Sequence, residues 1–180
     1  PEYADKPRPT PIKFTDILEL NDVSFRYGQN EPWILKNINL KISKGQRIGI
    51  IGASGGGKST LIDLIMGLLV PNSGYIKIDG QSISDKNTRA WQSHIAHVPQ
   101  SIYLSDATIK ENIAFGVPVD MIDNARVHEA ANKASLSSII EKMEDGFETI
   151  VGEQGARLSG GQRQRIGIAR TLYKNADVLV

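Results

Sequence analysis

A run of glycines that ends in a lysine and a serine is the first feature of this sequence that could do chemistry. The residues 52–59, Gly-Ala-Ser-Gly-Gly-Gly-Lys-Ser, fit the pattern G-x-x-x-x-G-K-[ST]. Glycines allow backbone N–H groups to turn inward around an anion, and the N-terminus of a following helix adds partial positive charge. Lys58 is then expected to reach the β- and γ-phosphates of a nucleotide, and the Ser59 hydroxyl to bind Mg²⁺. The segment therefore predicts a phosphate-binding loop.

A second motif lies about a hundred residues later. Residues 158–165 read Leu-Ser-Gly-Gly-Gln-Arg-Gln-Arg, and Ser159 is a natural N-cap for a helix predicted from Gly160 to Tyr173. Gly160 and Gly161 leave the first N–H groups of that helix bare, which predicts a second phosphate-binding helix end. Together the two motifs make the chain resemble the nucleotide-binding domain of ATP-binding cassette (ABC) proteins.

The resemblance implies an α/β fold with a P-loop NTPase (RecA-like) core, an N-terminal antiparallel β subdomain and an inserted helical subdomain at about residues 103–173. The domain itself is expected to span residues 17–180. Four prolines among the first eleven residues favour extended chain, so residues 1–16 are predicted to be a linker from a preceding transmembrane domain.

The pattern of apolar residues predicts the elements that position the motifs. Alternation indicates an antiparallel sheet over residues 17–42 and a strand at residues 75–80. The apolar run Arg47–Gly52 predicts a strand buried on both faces. Shorter strands are expected at residues 95–99 and, buried, at 177–180. Helical spacing occurs in five segments, at residues 58–69, 109–115, 123–134, 136–143 and 160–173.

The resemblance also assigns roles to individual residues. The catalytic residues it implies are Lys58, Gln100 and Ser159, with Gln100 contacting both Mg²⁺ and the attacking water. Ser59 and Gln100 are the metal-binding residues, acting on Mg²⁺ held by ATP. Tyr27 matches the aromatic residue that stacks on adenine, where a flat ring gains from offset stacking. The full set expected to bind nucleotide is Tyr27, Ser54, Gly55, Gly56, Gly57, Lys58, Ser59, Thr60, Gln100, Ser159, Gly160, Gly161 and Gln162.

Two kinds of partner are implied by the resemblance. A second nucleotide-binding domain would pair head to tail, so that Lys58 of one domain and Ser159 of the other face the same ATP. A transmembrane domain, on the same polypeptide, would place the chain at the cytoplasmic face of a membrane. Residues 103–116 resemble exporters more than importers, and Glu153, in an exporter-type loop at residues 149–155, is expected to contact that domain.

Composition excludes several other classes of protein. The net charge is +1, too small for a nucleic-acid-binding arm, and nucleic acid is not an expected partner. Cysteine is absent, which removes disulfides and thiolate metal sites. The three histidines have no suitable ligands close by in sequence, so no metal site is predicted for them. Arg163, Arg165 and Arg170 are interpreted as a solvated or dimer-facing surface.

Two alternatives of a different class stay open at this stage. One is a soluble ABC ATPase that acts on ribosomes or DNA, although the tandem cassettes or coiled-coil insertions typical of that group are not seen. The other is a regulatory module that binds nucleotide without turnover. In the family, the strand begun at residue 177 continues to an acidic Walker B pair, so these 180 residues alone are expected to be inactive.

Overall fold

The computed structural model describes residues 12–180, which divide into two compact units. The described part of the first unit is residues 12–95, and the second unit is residues 96–180. Residues 1–11 of the predicted linker lie outside the described residues.

A four-stranded antiparallel sheet is the centre of the first unit. Its strands are β1 (Ile17–Phe25), β2 (Leu35–Ser43), β3 (Ser73–Ile78) and β4 (Gln81–Ser82), in the order β2-β1-β3-β4. Leu18 and Leu20 of β1 are both buried, as the alternation of a half-buried strand requires. Leu20 lies opposite Leu40 of β2 and Ile76 of β3. The antiparallel sheet predicted from the alternation is confirmed.

Two helices complete this unit, α1 (Lys58–Ile65) and α2 (Thr88–Ser93). The helix predicted at residues 58–69 begins where expected and ends one turn earlier. Trp91 of α2 is fully buried, and its indole N–H donates to the Ile65 carbonyl at 2.7 Å. The Phe14 ring meets the Trp91 ring edge to face, 5.6 Å between centroids. Packing therefore begins no later than residue 12, because Ile12 and Phe14 are both buried.

The buried strand predicted at Arg47–Gly52 is not formed. These residues are not assigned to any strand, and within residues 12–180 no backbone hydrogen bond joins them to one. The side chain of Ile51 is 95 % exposed, and Ile48 and Ile50 are also exposed. An apolar run becomes a buried strand only when neighbouring strands satisfy its N–H and C=O groups. The apolar pattern was present, but the pairing that it requires is not made among the described residues.

The second unit is mainly helical. The strand β5 (Ile95–Ala96) lies at the division between the two units. The regular elements that follow it are α3 (Ile109–Ile113), α4 (Asn124–Lys133), α5 (Ser137–Ile140), α6 (Gly160–Lys174) and β6 (Val178–Leu179). Short 3₁₀ turns lie at Val119–Met121, Gly146–Glu148 and Glu153–Gly155. The helices predicted in this region are confirmed, with shorter spans for α3 to α5.

The core of this unit forms where α3, α4 and α6 meet. Its buried residues include Ile109, Ile113, Val127, Ala131, Ile166 and Ala169. The N–H of Val180 donates to the Ala96 carbonyl at 2.9 Å, which confirms short strands at both predicted places. The burial predicted for the last strand is wrong, since Leu179 is 54 % exposed. No helix within residues 12–180 combines the length and the apolar character that crossing a bilayer requires.

Candidate nucleotide-binding site

The glycine-rich loop leads directly into the N-terminus of α1. Gly57 is the N-cap residue, with φ +79°, and no side chain caps the helix there. A Cβ at this position would lie 3.0 Å from Leu35 Cδ2 and 3.2 Å from the Ile34 carbonyl oxygen. Both the left-handed backbone conformation and this lack of space require glycine at position 57. The first turn contains no acidic residue. The first N–H groups of α1 are therefore open to an external anion.

Lys58 adds a full positive charge to this helix end. Its ammonium group donates to the carbonyls of Gly52 (2.9 Å) and Ala53 (2.7 Å), which curls the side chain back over the loop. Ser59 lies exposed beside it. A cation, bare N–H groups and left-handed Gly55 form a donor set that fits a polyphosphate. The exposed hydroxyl of Ser59 is a hard oxygen donor of the kind that suits Mg²⁺.

Tyr27 lies in the same unit, two residues beyond the end of β1. Its side chain is 61 % exposed, and the Phe25 ring meets it edge to face at 5.0 Å between centroids. Its hydroxyl lies 3.2 Å from Oγ1 of Thr60 in the first turn of α1. An exposed aromatic ring is thus attached to the helix that carries Lys58.

The second predicted helix end is found at the start of α6. Ser159 is the N-cap residue, and its hydroxyl accepts a hydrogen bond from the Gln162 N–H at 3.3 Å. In return, Gln162 Oε1 accepts from the Ser159 N–H at 2.8 Å, which completes a capping box. Ser159, Gly160 and Gly161 are exposed, and a Cβ on either glycine would meet open space. The predicted cap is confirmed, and the helix end is accessible from outside.

A family model described as ABC transporter matches residues 35–180. The chain belongs to the ABC transporter family. It is 44 % identical over 181 residues to an ATP-dependent lipid A-core flippase of Desulfotalea psychrophila, an alignment that covers 100 % of this chain and 31 % of the flippase. A second flippase, from Saccharophagus degradans, is 44 % identical over 163 residues, covering 91 % of this chain and 27 % of that protein.

Among solved structures, this ABC family chain matches a bacterial Atm1-family ABC exporter with ATP bound. The TM-score is 0.85 at 36 % identity, covering 98 % of this chain and 30 % of that exporter chain. The predicted P-loop NTPase fold of the ABC ATPases is confirmed by this match and by the family model. The chain spans about a third of the length of the relatives that it matches.

The residues predicted to bind nucleotide fall into both units. The P-loop, Tyr27 and Thr60 are in the first unit, whereas Gln100 and Ser159 are in the second. Gln100 is exposed and follows β5 by four residues. A magnesium site shared by Ser59 and Gln100 stays a prediction, as does the coupling role of Glu153, which is exposed in a 3₁₀ turn.

The interpretation of the arginines on α6 as solvated or dimer-facing is wrong for Arg170. Its guanidinium donates to the carbonyls of Asn112 (2.9 Å) and Tyr103 (3.0 Å) and lies 4.5 Å from the centre of the Phe115 ring. Burial lowers the pKa of this group, but a guanidinium remains charged at neutral pH. Arg170 therefore attaches α6, the helix capped by Ser159, to the segment that follows Gln100.

A sequence signal for this contact exists. Arg163, Ile166, Arg170 and Tyr173 are spaced by three and four residues, so they share one face of α6, and Ile166 and Tyr173 are buried. Arg163 likewise donates inward, to the carbonyls of Gly155 and Leu158. A charged group among buried residues must be hydrogen-bonded, so an arginine within a buried helical stripe indicates a bonded guanidinium rather than a solvated one.

Proposed function

We propose that this chain is the ATP-binding and ATP-hydrolysing domain of an ABC exporter, acting as one half of a head-to-tail dimer. One observation supports this best. The chain has two helix N-termini suited to anions, at Gly57 in one unit and at Ser159 in the other. Only the helix end at Gly57 has a lysine and a glycine-rich loop. The two helix ends therefore differ, and each can contribute a different half of one nucleotide site.

The first unit supplies the binding half of this site. Phosphate oxygens compete with the Gly52 and Ala53 carbonyls for the ammonium group of Lys58, and they accept from the bare N–H groups of α1. The Tyr27 ring offers its face to the adenine base. When bound, Mg²⁺ neutralises phosphate charge, and Ser59 with Gln100 would hold it.

The partner domain supplies the closing half. Its Ser159 hydroxyl and the N–H groups of its Gly160 and Gly161 would point at the γ-phosphate, with Gln162 keeping the helix end in shape. The site is then complete only when two domains meet, and ATP shifts the population toward that closed state. Gln100 of the domain whose P-loop holds the ATP, and not the partner's, would position the attacking water.

We further propose a transmembrane domain on the same polypeptide, with this chain at its cytoplasmic face. The relatives support this, because the chain matches less than a third of their length and they are described as ATP-dependent flippases and as an exporter. The same descriptions favour an exporter over the two alternatives, an ABC ATPase that acts on ribosomes or DNA and a regulatory module that binds nucleotide without turnover.

A substitution at the second helix end tests the shared site. In the natural full-length protein, Ser159→Arg places a long cationic side chain where the partner's phosphate would approach and removes the capping hydroxyl. We expect ATP turnover to fall on the order of 100-fold, the loss typical of removing charge stabilisation at a reacting centre. ATP binding to the P-loop, measured with a fluorescent ATP analogue, should change little.

Ser138→Arg is the matched control, because Ser138 is an exposed serine of the same unit on α5. It should leave turnover unchanged. Lys58→Ala should instead weaken nucleotide binding itself. If Ser159→Arg turned over ATP like the wild type, the head-to-tail site would be wrong, and if Lys58→Ala bound ATP normally, the P-loop assignment would be wrong.

A further inference from the structure

We propose that Thr60 is a positioning residue for the nucleotide base, because its hydroxyl holds Tyr27 at a fixed place beside the P-loop. This inference rests on the proposed nucleotide site and gives Thr60, already expected to bind nucleotide, a specific role in it. The two oxygens, Tyr27 Oη and Thr60 Oγ1, lie 3.2 Å apart, across 33 positions in sequence. Thr60 is 6 % exposed, whereas Tyr27 is 61 % exposed. A buried, rigid residue thus anchors an exposed ring.

The backbone before Tyr27 is fixed independently of Thr60. The N–H of Arg26 donates to Asn72 Oδ1 at 2.7 Å, and the Arg26 guanidinium lies 4.6 Å from the centre of the Trp33 ring. These contacts place the Cα of Tyr27 but leave its side-chain torsions free. Phe25 touches one part of the ring. The bond to Thr60 is the contact that fixes the far end.

A fixed ring binds a base more tightly than a mobile one. Ordering a side chain at the moment of binding costs free energy that a pre-ordered side chain does not lose. Thr60 is well placed for this task, because it is the third residue of α1 and the phosphates would bind at the first turn of the same helix. The hydrogen bond therefore sets the distance between the base and the phosphates.

The bond also determines what Tyr27 can recognise. Its hydroxyl is paired with Thr60, so the ring offers the base a π-face and not a polar edge. Every base has a π-face, and stacking therefore contributes affinity without much choice among bases. The Tyr27–Thr60 pair should therefore raise the affinity for any nucleoside triphosphate. It should not change the affinity for a triphosphate that lacks a base.

A double-mutant cycle in the natural full-length protein tests this. The variants are Tyr27→Phe, which removes one oxygen and keeps the ring, Thr60→Val, which removes the hydroxyl at constant shape, and the pair together. Kd is measured for ATP and for inorganic tripolyphosphate, which has no base. We expect each single variant to weaken ATP binding roughly three- to tenfold, the double variant to be no weaker than the singles, and Thr60→Ser to restore binding.

Tripolyphosphate is the readout that separates positioning from a structural role. Its affinity should be unchanged by Tyr27→Phe. Equal losses for ATP and tripolyphosphate in Thr60→Val would mean that Thr60 acts on the phosphates or on the loop, and would overturn the proposal. Additive losses in the double variant would overturn it as well, because the two hydroxyls would then act independently.

The proposed nucleotide site can fail separately. A wild-type protein that binds neither ATP nor tripolyphosphate would overturn both proposals. A wild type that binds the two ligands equally well would leave the P-loop in place and exclude base binding at Tyr27, and with it the role given to Thr60.

Discussion

Asp79 fixes the entry of the chain into β1. Its carboxylate accepts hydrogen bonds from the N–H groups of Ile17 (2.7 Å) and Asp16 (3.0 Å) and from the hydroxyl of Thr15 (2.7 Å). Partial loss of hydration raises the pKa of Asp79, but the N–H groups of Ile17 and Thr15 and the Thr15 hydroxyl outweigh it and lower the pKa to about 2. The charged form is therefore the one that ties residues 15–17 to the end of β3.

Removing this carboxylate should destabilise the protein in a pH-dependent way. At pH 7 we expect Asp79→Ala to lower the free energy of unfolding by about 1–2 kcal/mol, a modest figure because the group is exposed to solvent. That corresponds to roughly 2–8 °C in Tm for a domain of this size. Because the folded pKa lies below the ordinary value of 3.8, the contribution is present above about pH 4 and disappears as the pH falls toward 2.

Thermal unfolding of the purified protein at pH 7 and at pH 2.5 measures both effects. Asp85→Ala serves as the control, because Asp85 is an exposed aspartate of the same unit. The difference between wild type and Asp79→Ala should be large at pH 7 and small at pH 2.5. A difference that stays constant across this range would show that the carboxylate charge contributes nothing.

Residues whose task is local were predictable from the sequence, and residues that reach across the chain were not. The capping box of Ser159 and Gln162 closes within three residues, so spacing alone predicts it. Asp79 binds residues 62 to 64 positions away, and Thr60 binds Tyr27 across 33. Such pairs depend on sheet register and helix placement, which no short pattern specifies.

At the scale of elements, α6 links the Leu-Ser-Gly-Gly-Gln motif at residues 158–162 to the segment after Gln100. The helix starts at the Ser159 cap, and eleven residues later Arg170 donates to the carbonyls of Asn112 and Tyr103. Asn112 is itself fully buried, and its side-chain oxygen accepts from the Ser105 N–H at 3.0 Å. One arginine thus joins α6, the C-terminal end of α3 and the loop between β5 and α3.

The contact between Arg170 and the two carbonyls should depend on the planar guanidinium group, which donates from two different nitrogen atoms. We expect Arg170→Ala to cost about 2–3 kcal/mol in the free energy of unfolding, because two carbonyls lose a charged donor. Arg170→Lys should recover little of this, since a single ammonium cannot serve both carbonyls in the same geometry. Denaturant unfolding measures the cost, and hydrogen exchange of residues 103–112 shows whether this segment loosens first.

Arg165→Ala is the matched control on the same helix. Arg165 is exposed and donates to one carbonyl, that of Ser135 at 2.6 Å, so its loss should cost less than about 0.5 kcal/mol. Equal costs for the two variants would show that the second carbonyl and the Phe115 contact add nothing.

Elements differ in how well the sequence predicts them. The helices α1 and α6 form where their own spacing and termini require them. The segment Ile48–Ile51 has the composition of a buried strand, yet its side chains are exposed. A helix satisfies its hydrogen bonds internally, whereas a strand needs partners, so apolar composition alone predicts the helix better than the strand.

At the scale of the whole molecule, the two helix N-termini proposed to bind phosphate belong to different compact units of one chain. In a head-to-tail dimer of two copies of this chain, each ATP site combines Lys58 of one copy with Ser159 of the other. A defect in Lys58 and a defect in Ser159 are then complementary. A mixed dimer of Lys58→Ala and Ser159→Arg copies has one site that carries both defects and one site that carries neither.

Restoration of one site is therefore the expected result of mixing the two variants. The copies are co-expressed with different affinity tags, mixed dimers are isolated by sequential purification, and ATP retained after rapid washing is counted per dimer. Mixed dimers should retain one ATP, because only a site closed by both copies keeps its nucleotide through the wash. Dimers of Ser159→Arg alone bind ATP at the open P-loop and release it during the wash, and dimers of Lys58→Ala alone bind it weakly, so neither should retain ATP. If each site lay within a single copy, every copy in the mixed dimer would still be defective and no ATP would be retained. The count thus separates a site shared between copies from a site that each copy completes by itself.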